Sequence, residues 1–262
     1  MGVLRKFWEV ENCEFQAPPY SPEEQAVINH FFTTYRTDKE GRFIVHLPKK
    51  ADTVPLGESR SQAVRRFLCL ERSLRAKGKF QEFAAVLEEY FRLGHAEPVP
   101  PVDLNRPCHE VFYLPMHAVS KNTSTTTQLR IVFDASARTS TGASLNDQLL
   151  VGPTMHAPLL DVLLRFRLYK VALTTDVSKM YRAVLLPDSQ RDLHRFVWRI
   201  DPQHRLLDYR MTRLTFGVSA SSFAANMSIR ENAIQHQEGC CQLGWRLWCK
   251  TWPIRDCTTV TG

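Results

Sequence analysis

The sequence predicts an α+β fold in which a helical N-terminal module precedes a region of antiparallel strands and packed helices. Two observations predict it. Apolar residues recur at helical spacing in three stretches before residue 95. Beyond residue 110, short runs rich in β-branched and aromatic residues alternate with two further helical patterns. The change occurs at a proline-rich stretch, so we expect two regions within the 262 residues.

The first helix is predicted to begin at Ser21, an N-cap residue followed by a proline at the first helical position. Glu24 stands where a capping box places its carboxylate. An apolar stripe follows at helical spacing, formed by Val27, Ile28, Phe31, Phe32 and Tyr35. A helix of about four turns fits this pattern.

Two more helices are predicted before the proline-rich stretch. The second begins near Ser59 to Ser61 and ends at Gly78, and the third runs from about Phe80 to Gly94. Each carries an apolar stripe, formed by Val64, Phe67, Leu68 and Leu74 in one and by Phe83, Leu87, Tyr90 and Phe91 in the other. The stretch Glu97–Val102 holds too many prolines for a regular element, so we expect a linker there.

The second region contains five predicted strands and two predicted helices. The strands are Val111–Leu114, Leu129–Phe133, Val171–Thr174, Arg195–Ile200 and Leu206–Thr212. The last two flank Asp201–Arg205, a sequence typical of a turn, which predicts an antiparallel hairpin. The helices are Pro158–Leu168 and Ser219–Gln235.

Composition limits the classes of protein to consider. The net charge of +7 and the pI near 9.1 favour polyanionic partners, although a generally basic soluble protein has the same balance. No signal peptide and no run of roughly 18 apolar residues are found, so we expect a soluble, intracellular chain without a membrane partner. Seven cysteines without CxxC spacing argue against a disulfide framework and a zinc site.

The segment 239–262 differs in composition from the rest. It holds four of the seven cysteines and three of the five tryptophans. We interpret it as an atypical tail, either frameshifted, truncated or disordered. A genuine terminal strand pair is the alternative.

Two groups of residues indicate chemistry. The apolar run Val171–Thr174 leads to Asp176, and a carboxylate delivered at the end of a strand is typical of a divalent-metal site. The alternative is a helix N-cap, because Ser178 and the residues after it could begin a helix. Along Leu129–Phe133, strand alternation places Arg130 and Asp134 on one face.

Four blocks occur in order along the second region. They are YLPMHAVSKNTSTTTQLRIVFDASAR at 113–138, SLNDQLLVGPTM at 144–155, LTTDVSKMYRAVLL at 173–186 and LTFGVSASSFAAN at 214–226. Together they resemble the reverse transcriptases of Bel/Pao long-terminal-repeat retroelements. Four blocks in the right order are far more specific evidence of this family than any single block, because one short pattern occurs by chance. Upstream, LRKFWEVE at 4–11, GRFIVHLP at 41–48 and the segment 56–74 resemble the region before the polymerase in those elements.

The resemblance implies a division of the chain and a function. Residues 1–100 would be the helical region that precedes the polymerase, and 106–238 a truncated reverse-transcriptase fingers and partial palm domain. The function implied is that of a fragment of an RNA-directed DNA polymerase, a nucleotidyltransferase that is part of a retroelement pol polyprotein. Its partners would be an RNA or DNA template-primer and deoxynucleoside triphosphates, and its cofactor Mg²⁺. The oligomeric state is left open.

The resemblance also assigns roles in the active site. Asp176 would be the catalytic carboxylate and a metal ligand, and the carbonyl of Val177 a second ligand. Tyr181 would stack under the incoming sugar and reject a 2′-hydroxyl, although a core tyrosine is an equal alternative.

The remaining implied roles concern the nucleotide. Lys121 and Arg130 would grip the triphosphate, with Asp134 orienting Arg130, unless these are ordinary solvated charges. Phe216 and Gly217 would let the backbone approach the nucleotide and template, and a simple turn glycine before an amphipathic helix is the alternative. The family usually has a proline where Ser222 stands.

One departure from the family pattern affects catalysis. Family members carry a Tyr-x-Asp-Asp type motif, and this sequence contains no Asp-Asp dipeptide. The nearest match is Ile254–Cys257, where Arg255 replaces the first aspartate. A lone Asp176 cannot readily hold two magnesium ions. We therefore expect a family member that is not catalytically competent alone, so its status as an enzyme is uncertain.

Other functions compete with this interpretation. A non-enzymatic nucleic-acid-binding remnant of a retroelement would keep the basic and aromatic residues without the chemistry. A degenerate reading frame without a role is another alternative. An aspartic protease is disfavoured, because the sequence Asp134-Ala135-Ser136 lacks the glycine that its catalytic loop requires.

Overall fold

The structure is a computed structural model that describes residues 20–120, 129–168, 170 and 177–236. This part of the chain is α+β, as the sequence predicts. Its helices α1–α7 span Pro22–Thr34, Arg60–Ala76, Phe80–Arg92, Leu159–Phe166, Met180–Ala183, Asp188–Arg191 and Ser221–Gln235. Its strands β1–β7 span Arg36–Thr37, Phe43–Ile44, Ala96–Pro98, Met116–Ser120, Leu129–Phe133, Arg195–Trp198 and Leu207–Met211.

Local sequence rules account for the first three helices. In α1 the Ser21 hydroxyl accepts a hydrogen bond from the Glu24 amide at 3.2 Å, and the Glu24 carboxylate accepts one from the Ser21 amide at 2.9 Å. This is the predicted capping box. Gly78 and Gly94 adopt left-handed φ values of +67° and +64° just beyond α2 and α3. The predicted stops are therefore confirmed, because glycine takes this conformation without a Cβ penalty.

The helical region packs directly against the strands. Trp198 of β6 is buried, and three phenylalanines of α2 and α3 surround its ring. The centroids of Phe67, Phe80 and Phe83 lie 5.6, 5.6 and 5.7 Å from that of Trp198. Aromatic contacts at this range add to the free energy of burial. A continuous cluster of buried apolar residues joins the helical region to the second region.

Three antiparallel sheets form the β part of the described ranges. The largest has the strand order β3–β7–β6, with Ala96 opposite Met211 and Arg195 opposite Arg210. Strands β6 and β7 form the predicted hairpin around the turn at 201–205. Strands β4 and β5 form a second pair, in which Met116 lies opposite Phe133. Strands β1 and β2 form a short third pair.

Two sequence predictions of this region are wrong. The proline-rich stretch is not a free linker, because Glu97 and Pro98 belong to β3 and pair with β7. An edge strand tolerates a proline, since one side of it has no partner strand. The run Val111–Leu114 makes an isolated parallel bridge between Tyr113 and Arg195, and the regular strand begins only at Met116. The predicted strand 171–174 and the tail 239–262 lie outside the described residues.

Buried arginines fasten the segment after β3 to the sheet. Arg210 donates hydrogen bonds to Glu97 at 2.8 Å, Asp103 at 3.0 Å and Asp192 at 3.2 Å. Arg195 donates to Asp192 at 2.9 Å and to the carbonyl of Asp103. Since each of these cations has carboxylate partners, their burial is compensated. The network fixes a segment whose sequence alone favours an irregular linker.

No helix in the described ranges is both long and apolar enough to cross a membrane. The helices predicted at 158–168 and 219–235 are confirmed as α4 and α7. The second of these begins within the residue block 214–226 that indicates function.

A buried histidine predicts how stability depends on pH. His194 is fully buried, and burial is the main reason why its pKa falls from about 6.5 to about 4. In the unfolded chain this side chain takes up a proton below about pH 6.5. The unfolded state therefore binds more protons between pH 6.5 and 4, and the free energy of unfolding falls as the pH drops through that window.

We expect the His194 contribution to this loss to approach about 3 kcal/mol at pH 4. The variant His194→Leu should lower stability at neutral pH but flatten the dependence between pH 6.5 and 4, as measured by urea unfolding at several pH values. His204→Asn, at an exposed histidine of the β6–β7 turn, is the control and should leave the slope unchanged. An equal slope in wild type and His194→Leu would contradict the prediction.

Candidate functional site

A glycine turn lies against the end of β5. Gly217 has φ +99°, and a Cβ placed on it would overlap the carbonyl oxygen of Phe133. The side-chain nitrogen Nδ2 of Asn146 donates to the Gly217 carbonyl at 3.1 Å and to the Ser136 hydroxyl at 2.8 Å. The side-chain oxygen Oδ1 of Asn146 accepts from the Ser219 backbone amide at 2.9 Å. Glycine is thus required here by both conformation and contact.

Two of the predicted site residues are in ring contact. Tyr181 of α5 and Phe216 lie with centroids 4.1 Å apart and an interplanar angle of 38°. The Tyr181 side chain is partly buried against the core, whereas Phe216 is 51% exposed. Because Phe216 precedes Gly217, this contact joins the α5 segment to the glycine turn and, through it, to the end of β5.

The carboxylate of Asp134 is held by a residue from α2. Arg66 donates to Asp134 at 2.7 Å and also contacts the His117 ring. The second carboxylate oxygen accepts from the Ser136 amide at 3.0 Å. Burial, and then the charge of Arg66, lower the pKa of His117 below its usual value, and Asp134 opposes this. His117 can therefore stay neutral beside two charged groups.

Arg130 lies on the outward face of β5, as the strand alternation predicts. Leu129, Ile131 and Phe133 are buried, while Arg130 is exposed and Asp134 is half-buried. The expectation that Asp134 orients Arg130 is not met, since Asp134 pairs with Arg66. The physical reason is distance, because residues four apart along a strand are separated by about 13 Å.

The segment that leads into Tyr181 is anchored on α3. Lys179 bonds the Glu89 carboxylate at 2.5 Å, a contact that lowers the pKa of Glu89 below its usual value. Lys179 also has φ +53°, and it alone of the described non-glycine residues takes a positive φ. A lysine in this region is strained by about 1 kcal/mol or more, so the surrounding contacts must hold it there.

The remaining predicted residues are only partly described. Val177 is 49% exposed, and Lys121 and Asp176 lie outside the described residues. In the described ranges no group of three His, Cys, Asp or Glu side chains is placed to hold a metal ion. A two-magnesium centre needs several carboxylates around its pair of ions, and the predicted ligand Asp176 is not among the described residues.

Sequence reasoning missed three residues of this site. Arg66 bonds to Asp134 at the end of β5, and Asn146 bonds to the glycine turn. His117 contacts Arg66 and lies 3.9 Å from the Asp134 carboxylate. Asn146 and His117 lie within the four sequence blocks, but spacing along the chain does not show which side chain contacts another block or another helix. Arg66 belongs to a predicted helix whose partner strand cannot be read from local pattern. No family model and no curated protein matches the chain.

The glycine turn gives a direct test of this packing. We expect Gly217→Ala to lower the free energy of unfolding by about 3 kcal/mol or more, because strain at positive φ adds to overlap with the Phe133 carbonyl. Gly142→Ala is the matched control. Gly142 has φ +83° with no described atom within 4 Å of the added Cβ, so about 1 kcal/mol is expected. Urea unfolding measures both, and equal costs would contradict the close approach.

Proposed function

We propose that this chain is part of a retroelement RNA-directed DNA polymerase of the Bel/Pao type, in which residues 106–238 supply fingers and a partial palm. It would carry the template- and nucleotide-binding half of the active site and would not extend a primer alone. The order of the four sequence blocks supports the assignment. Contacts between residues of three of these blocks also support it, since Tyr181 contacts Phe216 and Gly217 lies against Phe133.

The contact of Tyr181 with Phe216, beside the Gly217 turn, is the observation that carries the proposal. A polymerase needs an aromatic ring under the sugar and an open backbone beside the base. It also needs cations near the phosphates. Here the Tyr181 ring contacts Phe216, and the adjacent Gly217 lies against the end of β5. Arg130 projects from the outward face of β5.

A cationic groove next to this site supports a nucleic-acid partner. A cavity of about 530 Å³ lies between α2 and β4, lined by Gln62, Arg65, Arg66, Cys69, Leu70, Met116 and His117. Arg65 and Arg130 are exposed, and neither belongs to an ion pair within the described part of the chain. A phosphate backbone would release counterions on binding to such a surface.

Binding to a template-primer is the first test. We expect the chain to bind a labelled RNA–DNA template-primer, with affinity that falls steeply between about 50 and 200 mM salt. Arg65→Gln and Arg130→Gln should each lower the slope of log K against log salt by about 1. Fluorescence anisotropy measures this.

Arg205→Gln is the matched control, an exposed arginine of the β6–β7 turn, and should leave the slope unchanged. No salt-dependent binding, or equal effects of all three substitutions, would contradict the proposed surface.

Primer extension is the second test. With Mg²⁺, template-primer and deoxynucleotides, the chain as it stands should give no product, because the sequence lacks an Asp-Asp pair. Replacing the residues after His236 with the corresponding segment of an active family member should restore extension, and Asp176→Asn should abolish it again.

The extension test also separates the alternatives. Extension by the unmodified chain would overturn the claim of incompetence, and an active graft carrying Asp176→Asn would overturn the role of Asp176. Template binding without extension in any graft would instead identify a nucleic-acid-binding remnant.

A further inference from the structure

Arg182, the residue after Tyr181, bridges three parts of the molecule. Its side chain is buried, with 7% of the residue exposed. One terminal nitrogen donates to the Leu214 carbonyl at 2.9 Å and to the Thr215 hydroxyl at 3.2 Å. The other donates to the Tyr90 hydroxyl at 3.2 Å. The guanidinium thus ties α5 to α3 and to the segment just before Phe216.

Arg182 differs in its partners from the buried Arg195 and Arg210. Throughout the described ranges Arg182 has no carboxylate partner, whereas Arg195 and Arg210 each bond at least one. Burial lowers the pKa of Arg182, and the Tyr90 ring, with its centroid 4.6 Å from the guanidinium carbon, offsets part of the cost. Burying an uncompensated cation is expensive, so a purely structural role would be served better by an apolar residue.

The position of Arg182 indicates a role that would justify the free-energy cost of burying its charge. Along the chain, Arg182 adjoins Tyr181, and its acceptor Thr215 adjoins Phe216. The hydrogen bond from Arg182 to Thr215 therefore joins the two residues that are adjacent in the chain to the contacting rings of Tyr181 and Phe216. A planar guanidinium holds several acceptors in one fixed geometry, whereas the donors of a lysine rotate and an apolar side chain has none.

We propose that Arg182 is a positioning residue that sets Tyr181 against Phe216 and thereby determines the discrimination between deoxyribonucleotides and ribonucleotides. This rests on the proposed function for the role of Tyr181. Steric rejection of a 2′-hydroxyl depends on ring placement to within about 0.5 Å. A ring that is free to shift by more than this would admit both sugars.

The ring placement can be tested without nucleotide. The full chain is labelled with 3-fluorotyrosine, and the ¹⁹F resonance of Tyr181 is assigned by its loss in Tyr181→Phe. Arg182→Met should shift or split this resonance at a temperature where the variant is folded. Arg60→Met is the matched control, since Arg60 lies over the Tyr113 ring. It should leave the Tyr181 resonance in place.

If Arg182→Met does not fold, Tyr90→Phe replaces it, because that variant removes only one of the hydrogen bonds of Arg182. It should move the Tyr181 resonance in the same direction by a smaller amount. An unmoved Tyr181 resonance in the folded variant would overturn the positioning role.

The selectivity is tested on the chain bound to template-primer. The ratio of the ribonucleotide Kd to the deoxyribonucleotide Kd is measured for the matched base. Arg182→Met and Tyr181→Ala should lower this ratio by about tenfold or more, and Arg60→Met should not. An unchanged ratio in Arg182→Met would overturn the proposal. If the unmodified chain binds neither nucleotide, the proposed function fails together with the selectivity role, and the ¹⁹F result still decides whether Arg182 positions Tyr181.

Discussion

The close approach of Gly217 to the Phe133 carbonyl is the constraint on which the site depends. It brings the start of α7 to the end of β5, so that two segments distant in sequence share one surface. Asn146 holds the same turn from a third segment. A side chain at this position would push these segments apart, because backbone atoms cannot move aside as a flexible side chain can.

The buried arginines Arg195 and Arg210 have charged partners, whereas the buried Arg182 has neutral ones. Around Asp192 they are neutralised by carboxylates, and the result is a fixed attachment of the segment after β3 to the sheet. Arg182, next to Tyr181 in the chain, donates to neutral acceptors and lies over the Tyr90 ring. The first arrangement removes charge from the interior, and the second leaves a positive field beside the candidate site.

Local signals predicted much of the fold. The capping box of α1, the glycine stops after α2 and α3 and the β6–β7 hairpin all depend on residues close in sequence. The strand at Ala96–Pro98 escaped prediction because its pairing and its ion pairs come from residues more than ninety positions away. For the same reason the contact of Asp134 with Arg66 was missed, whereas the outward face shared by Arg130 and Asp134 follows from strand period alone.

The enclosure of Trp198 by α2 and α3 has a consequence for how such a chain can diverge. The helical region supplies both the aromatic walls around this tryptophan and the edge strand of its sheet. Recombination that exchanged only the elements beyond residue 100 would combine Trp198 and its sheet from one parent with the surrounding phenylalanines and strand β3 from another. The two regions are therefore expected to be inherited as one unit, with substitutions at Phe67, Phe80 or Phe83 compensated at Trp198.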